Sequence, residues 1–174
     1  GGRLDEAIMR VMDVLLAFPG ILLALAIVAM LGPDLRNLII AIGIYSIPQF
    51  ARITRGSVIS VRQNDYVTAA RAIGENQASI ILRYVLPNAI SPIIIQTTLR
   101  MATVLLTAAG LGFLGLGVQP PEPEWGTMLS NARMYLRSAP MVAVFPGLSI
   151  MLVVLGFNFF GDGLQDALNP RLKE

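Results

Sequence analysis

Four long apolar runs constrain this chain more than any other feature. They are Val14–Leu31 (VLLAFPGILLALAIVAML), Leu38 to about Ile59, Met101–Val118 (MATVLLTAAGLGFLGLGV) and Met141–Phe160 (MVAVFPGLSIMLVVLGFNFF). Each approaches the roughly 20 mainly apolar residues that a helix needs to cross a bilayer. None alternates polar and apolar residues, as a transmembrane barrel strand would. Pro19-Gly20 predicts a kink near one end of the first run, and Gly32-Pro33-Asp34 predicts a turn after it. The second run is less apolar and contains Pro48. The 174 residues are 55% hydrophobic and 14% charged, with mean hydropathy +0.67. Too little polar residue remains to cover a soluble globule of one domain's size. The expectation is an all-α, polytopic transmembrane helical bundle of about four spans, a single domain over residues 1–174.

Positive charge sets the expected orientation. The connection between spans two and three holds Arg52, Arg55, Arg62, Arg71 and Arg83 against Asp65 and Glu75, which predicts a cytoplasmic loop over residues 62–87. Arg3 and Arg10 at one end, and Arg171 and Lys173 at the other, put both ends on that same side. The 119–140 connection is then external. Within it Trp125, Met128, Leu129, Ala132, Tyr135 and Leu136 follow helical spacing, which predicts a short helix. It either lies along the membrane surface or packs on the protein as a lid.

Several chemistries are excluded. There is no cysteine and no histidine, so thiolate chemistry and the commonest metal ligand are absent. The one lysine, Lys173, rules out a Gly-x-x-x-x-Gly-Lys-Ser/Thr phosphate loop. A net charge of +2 with scattered basic residues gives no nucleic-acid footprint. Gly110, Gly112 and Gly115 match G-x-G-x-x-G, but a membrane run precedes them and Pro120-Pro121 follows, so the strand–turn–helix context is missing. Glycines at these places suit close helix packing instead. No carboxylate falls in the middle of a run, which weakens a secondary carrier driven by protons or sodium. Arg100 is the one charge near the third run. It either contacts an anionic group on the substrate path or snorkels at the inner boundary. Length favours the boundary, since the eighteen residues Met101–Val118 rise about 27 Å.

The stretch Asp65–Asn88, DYVTAARAIGENQASIILRYVLPN, interrupts the apolar runs. Asp65 is placed to cap a helix. Tyr66, Ala69, Ala70 and Ile73 then share a face that is small in its middle, with Thr68 and Arg71 off it. Gly74 suits the left-handed residue that ends a helix. Asn76 can cap a second helix with Ile80, Ile81 and Tyr84 as its apolar set, and Pro87 interrupts it before a new helical direction begins. Periodicity leaves two readings open: a surface helix resting on lipid or its own bundle, or a knob that docks into another protein.

Here the chain resembles a permease subunit of an ATP-binding-cassette importer. The cytoplasmic loop of that family carries Glu-Ala-Ala, three residues, Gly, nine residues, Ile, one residue, Leu-Pro. This chain has Thr68-Ala69-Ala70, Gly74, Tyr84 and Leu86-Pro87 at the same spacing, with Thr68 in place of the Glu and Tyr84 in place of the Ile. DVLLAFPGILLALAI (13–27), FLGLGVQPPEPEWGTML (113–129) and FPGLSIMLVVLGFNFFGDGLQDALNPR (145–171) are similar to the dipeptide, oligopeptide and nickel group, and most to its second permease subunit. Such relatives usually have two further spans before the point where this chain opens, Gly-Gly-Arg without Met, so it is expected to be a piece of a longer protein.

The resemblance implies a type I importer permease fold in the inner (plasma) membrane of a prokaryote. It implies a second homologous permease subunit, two cytoplasmic ATPase subunits that bind ATP and Mg, an external substrate-binding protein, and surrounding membrane lipid. Asp65, Tyr66, Ala69, Ala70, Arg71 and Gly74 would belong to the ATPase-coupling element; from its charge and place alone, Arg100 is the one candidate for the substrate pathway, with the boundary position as its alternative. The chain itself would carry no catalytic residue, metal or cofactor. The solutes implied are di- or oligopeptides, nickel or related small molecules. An energy-independent channel, a structural membrane subunit or a secondary carrier explains the spans but not the loop spacing.

Overall fold

A computed structural model describes residues 2–168, so the tail charges Arg171 and Lys173 lie outside the described residues. Eight α-helices carry those residues: α1 (Arg3–Leu16), α2 (Gly20–Leu31), α3 (Leu35–Arg62), α4 (Asp65–Ala72), α5 (Gln77–Ile80), α6 (Leu86–Phe113), α7 (Trp125–Ala132) and α8 (Met141–Leu168). A π-helical turn, Ile81–Val85, joins α5 to α6, and a 3-10 turn, Arg133–Tyr135, follows α7. The chain belongs to the all-helical class, with no strand among the described residues.

The apolar run 14–31 is not one helix. The axes of α1 and α2 differ by 84°. Pro19 has no N–H to continue the ladder and pushes the preceding residue out of the helical region. It takes φ −55°, ψ 123° at the N-cap of α2, and its carbonyl accepts from the N–H groups of Leu22 and Leu23 at 2.9 and 3.0 Å. The next residue must be glycine for a packing reason: a Cβ on Gly20 would stand 2.6 Å from Cδ2 of Tyr45 on α3. The twelve residues of α2 rise only about 18 Å, so this run crosses a membrane only if the bent pair α1–α2 counts as one span.

The third run also differs from its expected bounds. Gln77–Phe113 is long and apolar enough to cross a membrane as one helical stretch of 37 residues, and Pro87 does not break it. A proline removes one ladder bond and its ring crowds the carbonyl four residues back. The wider π turn just before Pro87 gives the ring room, and Asn88 Nδ2 donates to the Tyr84 carbonyl at 2.7 Å. At the other end the helix stops at Phe113 instead of running to Val118. Gly115 takes φ +82°, the Leu116 N–H donates to the Leu111 carbonyl at 2.9 Å, and the Gly115 N–H donates to the Gly112 carbonyl at 2.9 Å. That is a Schellman stop, the role glycine fills at a left-handed C-terminal residue. α8 is the second helix long and apolar enough to cross. α3 has the length, with Asp34 capping it through the Arg36 N–H at 2.8 Å, but its four arginines keep it below that level of apolarity. Two of these are answered by α1. Arg52 meets Asp13 at 2.8 Å, and Arg55 grips Asp5 with Nε at 2.9 Å and Nη2 at 3.0 Å.

The helices pack around two small cores. One joins Ala24 and Val28 of α2, Leu38, Ala41, Ile42 and Tyr45 of α3, and Leu111 of α6. The other joins Val61, Val67, Ala70, Ile80, Val85 and Ala89 at the opposite end of α6. α8 runs beside α6, close enough that a Cβ on Gly161 would stand 2.6 Å from Leu99. Helix α7 packs on the protein, which is the lid arrangement: Gly126 is buried against the Ala109 backbone of α6. Glu124 caps α7, accepting from the Gly126 and Thr127 N–H groups at 2.8 and 2.7 Å. Its carboxylate lies on the bare backbone of Gly112. Gly112 and Gly115 of the rejected nucleotide motif therefore serve packing and helix termination. The accessible area is 11444 Å², against about 8,300 Å² for a soluble globule of this mass. The excess is apolar helix surface, as a membrane bundle requires.

Candidate coupling surface

The helix–glycine–helix segment sits at the end of the bundle remote from α7. Gly74 takes φ +81°. The Glu75 N–H donates to the Ala70 carbonyl at 3.1 Å and the Gly74 N–H to the Arg71 carbonyl at 3.0 Å, a second Schellman stop. Two residues later Asn76 caps α5 by accepting from the Ser79 N–H at 2.8 Å. The chain thus turns between α4 and α5 with its helix ends satisfied.

The faces differ from the sequence expectation. Val67 and Ala70, spaced i and i+3, point inward and are 0% and 4% exposed. Tyr66, Ala69 and Ile73 point outward, with Ile73 82% exposed. Ala70 therefore belongs to the chain's own core and not to the face of Tyr66, Ala69 and Ile73 with which the periodicity grouped it. Val67, which that reading passed over, is the anchor. An eight-residue helix with apolar or small residues on both sides gives periodicity too little length to choose. The signal for Val67 was its β-branched side chain three residues before Ala70. In the second piece Ile80 is buried, Ile81 is exposed and Val85 takes the next inward position. The π turn widens that turn of helix and rotates the register.

Asp65 does not cap α4. Asn64 holds the N-cap position at φ −71°, ψ 147°, without a side-chain hydrogen bond to the helix N–H groups. Asp65 is the first helical residue, where its charge faces the positive end of the helix dipole. Thr68 is exposed, with its hydroxyl 3.5 Å from the Asn64 carbonyl. The Tyr66 and Tyr84 rings lie 6.4 Å apart, within the range of aromatic pairs, so the outward crest is braced from below. Arg71 is exposed, and with Arg62, Ile80, Ile81 and Val85 it lines a cleft of ≈ 210 Å³ beneath the turn. The result is a small rigid knob: an apolar crest of Tyr66, Ala69 and Ile73, flanked by arginine, on a socket made by α3 and the root of α6. Arg100 is not part of it. It lies within α6, half-buried, and among the described residues it has no hydrogen-bond or ion-pair partner. Because α6 closes at Phe113, the length count that placed Arg100 at a membrane boundary does not hold.

The comparisons with known proteins agree with the helical membrane bundle. Residues 1–174 match the family described as binding-protein-dependent transport system inner membrane component. The chain is 55% identical over 173 residues to the dipeptide transport system permease protein DppC of Alkalihalophilus pseudofirmus. It is 53% identical over 172 residues to the glutathione transport system permease protein GsiD of Shigella flexneri and of Escherichia coli. Each match covers 99% of this chain and 57% of the relative, so the chain spans little more than half the length of the curated relatives it matches.

Proposed function

The chain belongs to the binding-protein-dependent transport system inner membrane component family, and from that membership we propose that it is the permease segment of an ATP-driven importer of small peptides. The peptide class is supported by the names of its relatives, a dipeptide and a glutathione permease. It is also supported by the lack of His and Cys, the ligands a nickel path would favour over oxygen. The chain acts as a transport subunit. ATP and Mg belong to two partner ATPases at the cytoplasmic face, a second permease subunit completes the path, and an external binding protein delivers the solute. Four crossings, with both ends and the 62–87 loop on the cytoplasmic side, complete the reading. α1 supplies the carboxylates that neutralise two of the arginines of α3.

The observation that carries this reading is the knob itself. Asp65, Tyr66, Ala69, Arg71 and Gly74 form its exposed part and Ala70 its root. The crest of Tyr66, Ala69 and Ile73, with Ile73 82% exposed and Arg71 at its edge, is an apolar patch with a polar rim, the kind of surface a docking partner covers. In an importer that turn is a lever. Closure of the ATPase pair on ATP pulls the knob, and because Val67, Ala70, Ile80 and Val85 share one core, the pull reaches α3 and α6 together. The spans then shift between two packings by the difference in affinity of the ATPase states for them. A channel has no role for the knob. The test is uptake by proteoliposomes holding the complete transporter. Ile73→Asp abolishes capture of the ATPases and ATP-dependent uptake together. Uptake that continues without ATP would replace the importer reading with a channel.

A further inference from the structure

On α6, Gln96, Arg100, Thr103 and Thr107 recur at i, i+4, i+7 and i+11, so at about 100° per residue they form one face. The chain's own helices leave that face open. Leu99 packs against Gly161 of α8 on one side. Val104 and Ala108 pack against the α2–α3 core on the other. Thr98, Ala102 and Ala109 are buried. Thr103 is exposed, and Gln96, Arg100 and Thr107 are half-exposed. Of the four, Thr107 spends its hydroxyl hydrogen on the Thr103 carbonyl at 2.8 Å and keeps its lone pairs outward. The stripe extends about 17 Å along the helix. A guanidinium, a carboxamide and two hydroxyls in a row are unsuited to lipid, where polar groups turn toward a water-filled cavity or a partner. Met101 and Leu106, exposed elsewhere on the same helix, do suit lipid.

Arg100 is the only charge in the stripe, and α6 has no Asp or Glu to neutralise it. Asp162, beside Gly161 on α8, forms no ion pair with it among the described residues. We propose that this face of α6 lines a water-filled solute path and that Arg100 is its contact for the carboxylate of the passing peptide. The chemistry fits: a planar guanidinium matches a carboxylate with two parallel hydrogen bonds and stays charged in any surroundings. Gln96, Thr103 and Thr107 replace water along the route without binding tightly. The proposal rests on the importer reading for its solute, but the exposure of the stripe is testable without it.

These 174 residues hold no cysteine, and each introduced thiol is read against the unsubstituted transporter as background. In membrane vesicles holding the assembled transporter, Gln96→Cys, Thr103→Cys and Thr107→Cys react with a charged, membrane-impermeant thiosulfonate, while Met101→Cys and Leu106→Cys do not. Equal reactivity of the two sets overturns the path. For the charge, uptake of alanyl-alanine falls by about tenfold or more in Arg100→Gln, the scale of a lost hydrogen bond to a charged group. Arg100→Lys retains most of it. ATPase stimulation by the loaded binding protein stays at the wild-type level, and uptake of the peptide's C-terminal amide is unchanged by Arg100→Gln. Wild-type uptake of the acid in Arg100→Gln overturns the contact. So does a parallel loss of amide uptake or of ATPase stimulation, which marks a structural role. Wild-type vesicles that import no peptide defeat the importer reading instead, and the labelling still decides the path.

Discussion

Val67 and Ile80 stand on opposite sides of the Gly74 turn and meet in one buried cluster, 0% and 2% exposed. That contact makes the turn a part of the bundle and not a pendant loop. It also separates two neighbouring alanines whose substitutions should differ. Ala70→Trp forces an indole into the cluster, and overpacking of this kind costs typically 1–3 kcal/mol, occasionally more. The expected result is a lower melting temperature in detergent with or without the ATPases. Ala69→Trp lies on the open crest and leaves melting unchanged while reducing ATPase co-purification. Identical behaviour of the two would contradict the inward and outward assignment.

Gly74→Val places a β-branched residue at φ +81°. No neighbouring atom stands within 4 Å of the added Cβ, so the cost is conformational. The left-handed region costs an L-residue about 1–2 kcal/mol, and branching at Cβ adds to it. The variant should insert normally and hydrolyse ATP in the complex while uptake falls. Asn, which tolerates the left-handed region, should retain more uptake than Val. Equal uptake by Gly74→Asn and Gly74→Val would remove the backbone argument.

Glu124→Ala removes a cap that satisfies the N–H groups of both Gly126 and Thr127. Loss of an N-cap costs about 1 kcal/mol, which for a chain of this size lowers the melting temperature by about 2–4 °C. Gly126→Ala should cost more, because its methyl group meets the Ala109 backbone, which cannot move aside as a flexible side chain does. Thermal denaturation in detergent ranks the two.

Asp5→Arg leaves Arg55 facing a like charge, and Arg55→Asp leaves Asp5 facing one. Each single variant should loosen α1 from α3, read as faster proteolysis between residues 16 and 20. The double variant restores an opposite-charge pair and should recover protection. Additive damage in the double variant would mean that the pair does not hold the helix.

The apolar runs, the lack of alternation and the loop spacing were enough to establish a helical membrane bundle with a helix–Gly–helix insertion, because hydropathy and glycine's left-handed freedom are local properties. Gly74 and Asn76 were legible for that reason: each acts on backbone within a few residues of itself. Pro19 signalled a kink, but the local sequence carries neither its size of 84° nor the close approach of Tyr45 over Gly20, a contact across the fold. Asp65 was misread as a cap because Asn64, equally suited by type, reaches the position first when α3 ends two residues earlier. The orientation of Ala70, the Glu124–Gly112 contact and the polar stripe of α6 with Arg100 depend on which surfaces neighbouring helices cover. The amino-acid sequence by itself determined the solvent, the helices and the turn. Only the tertiary structure decided which faces remain open, since a helix face is defined by what packs against it.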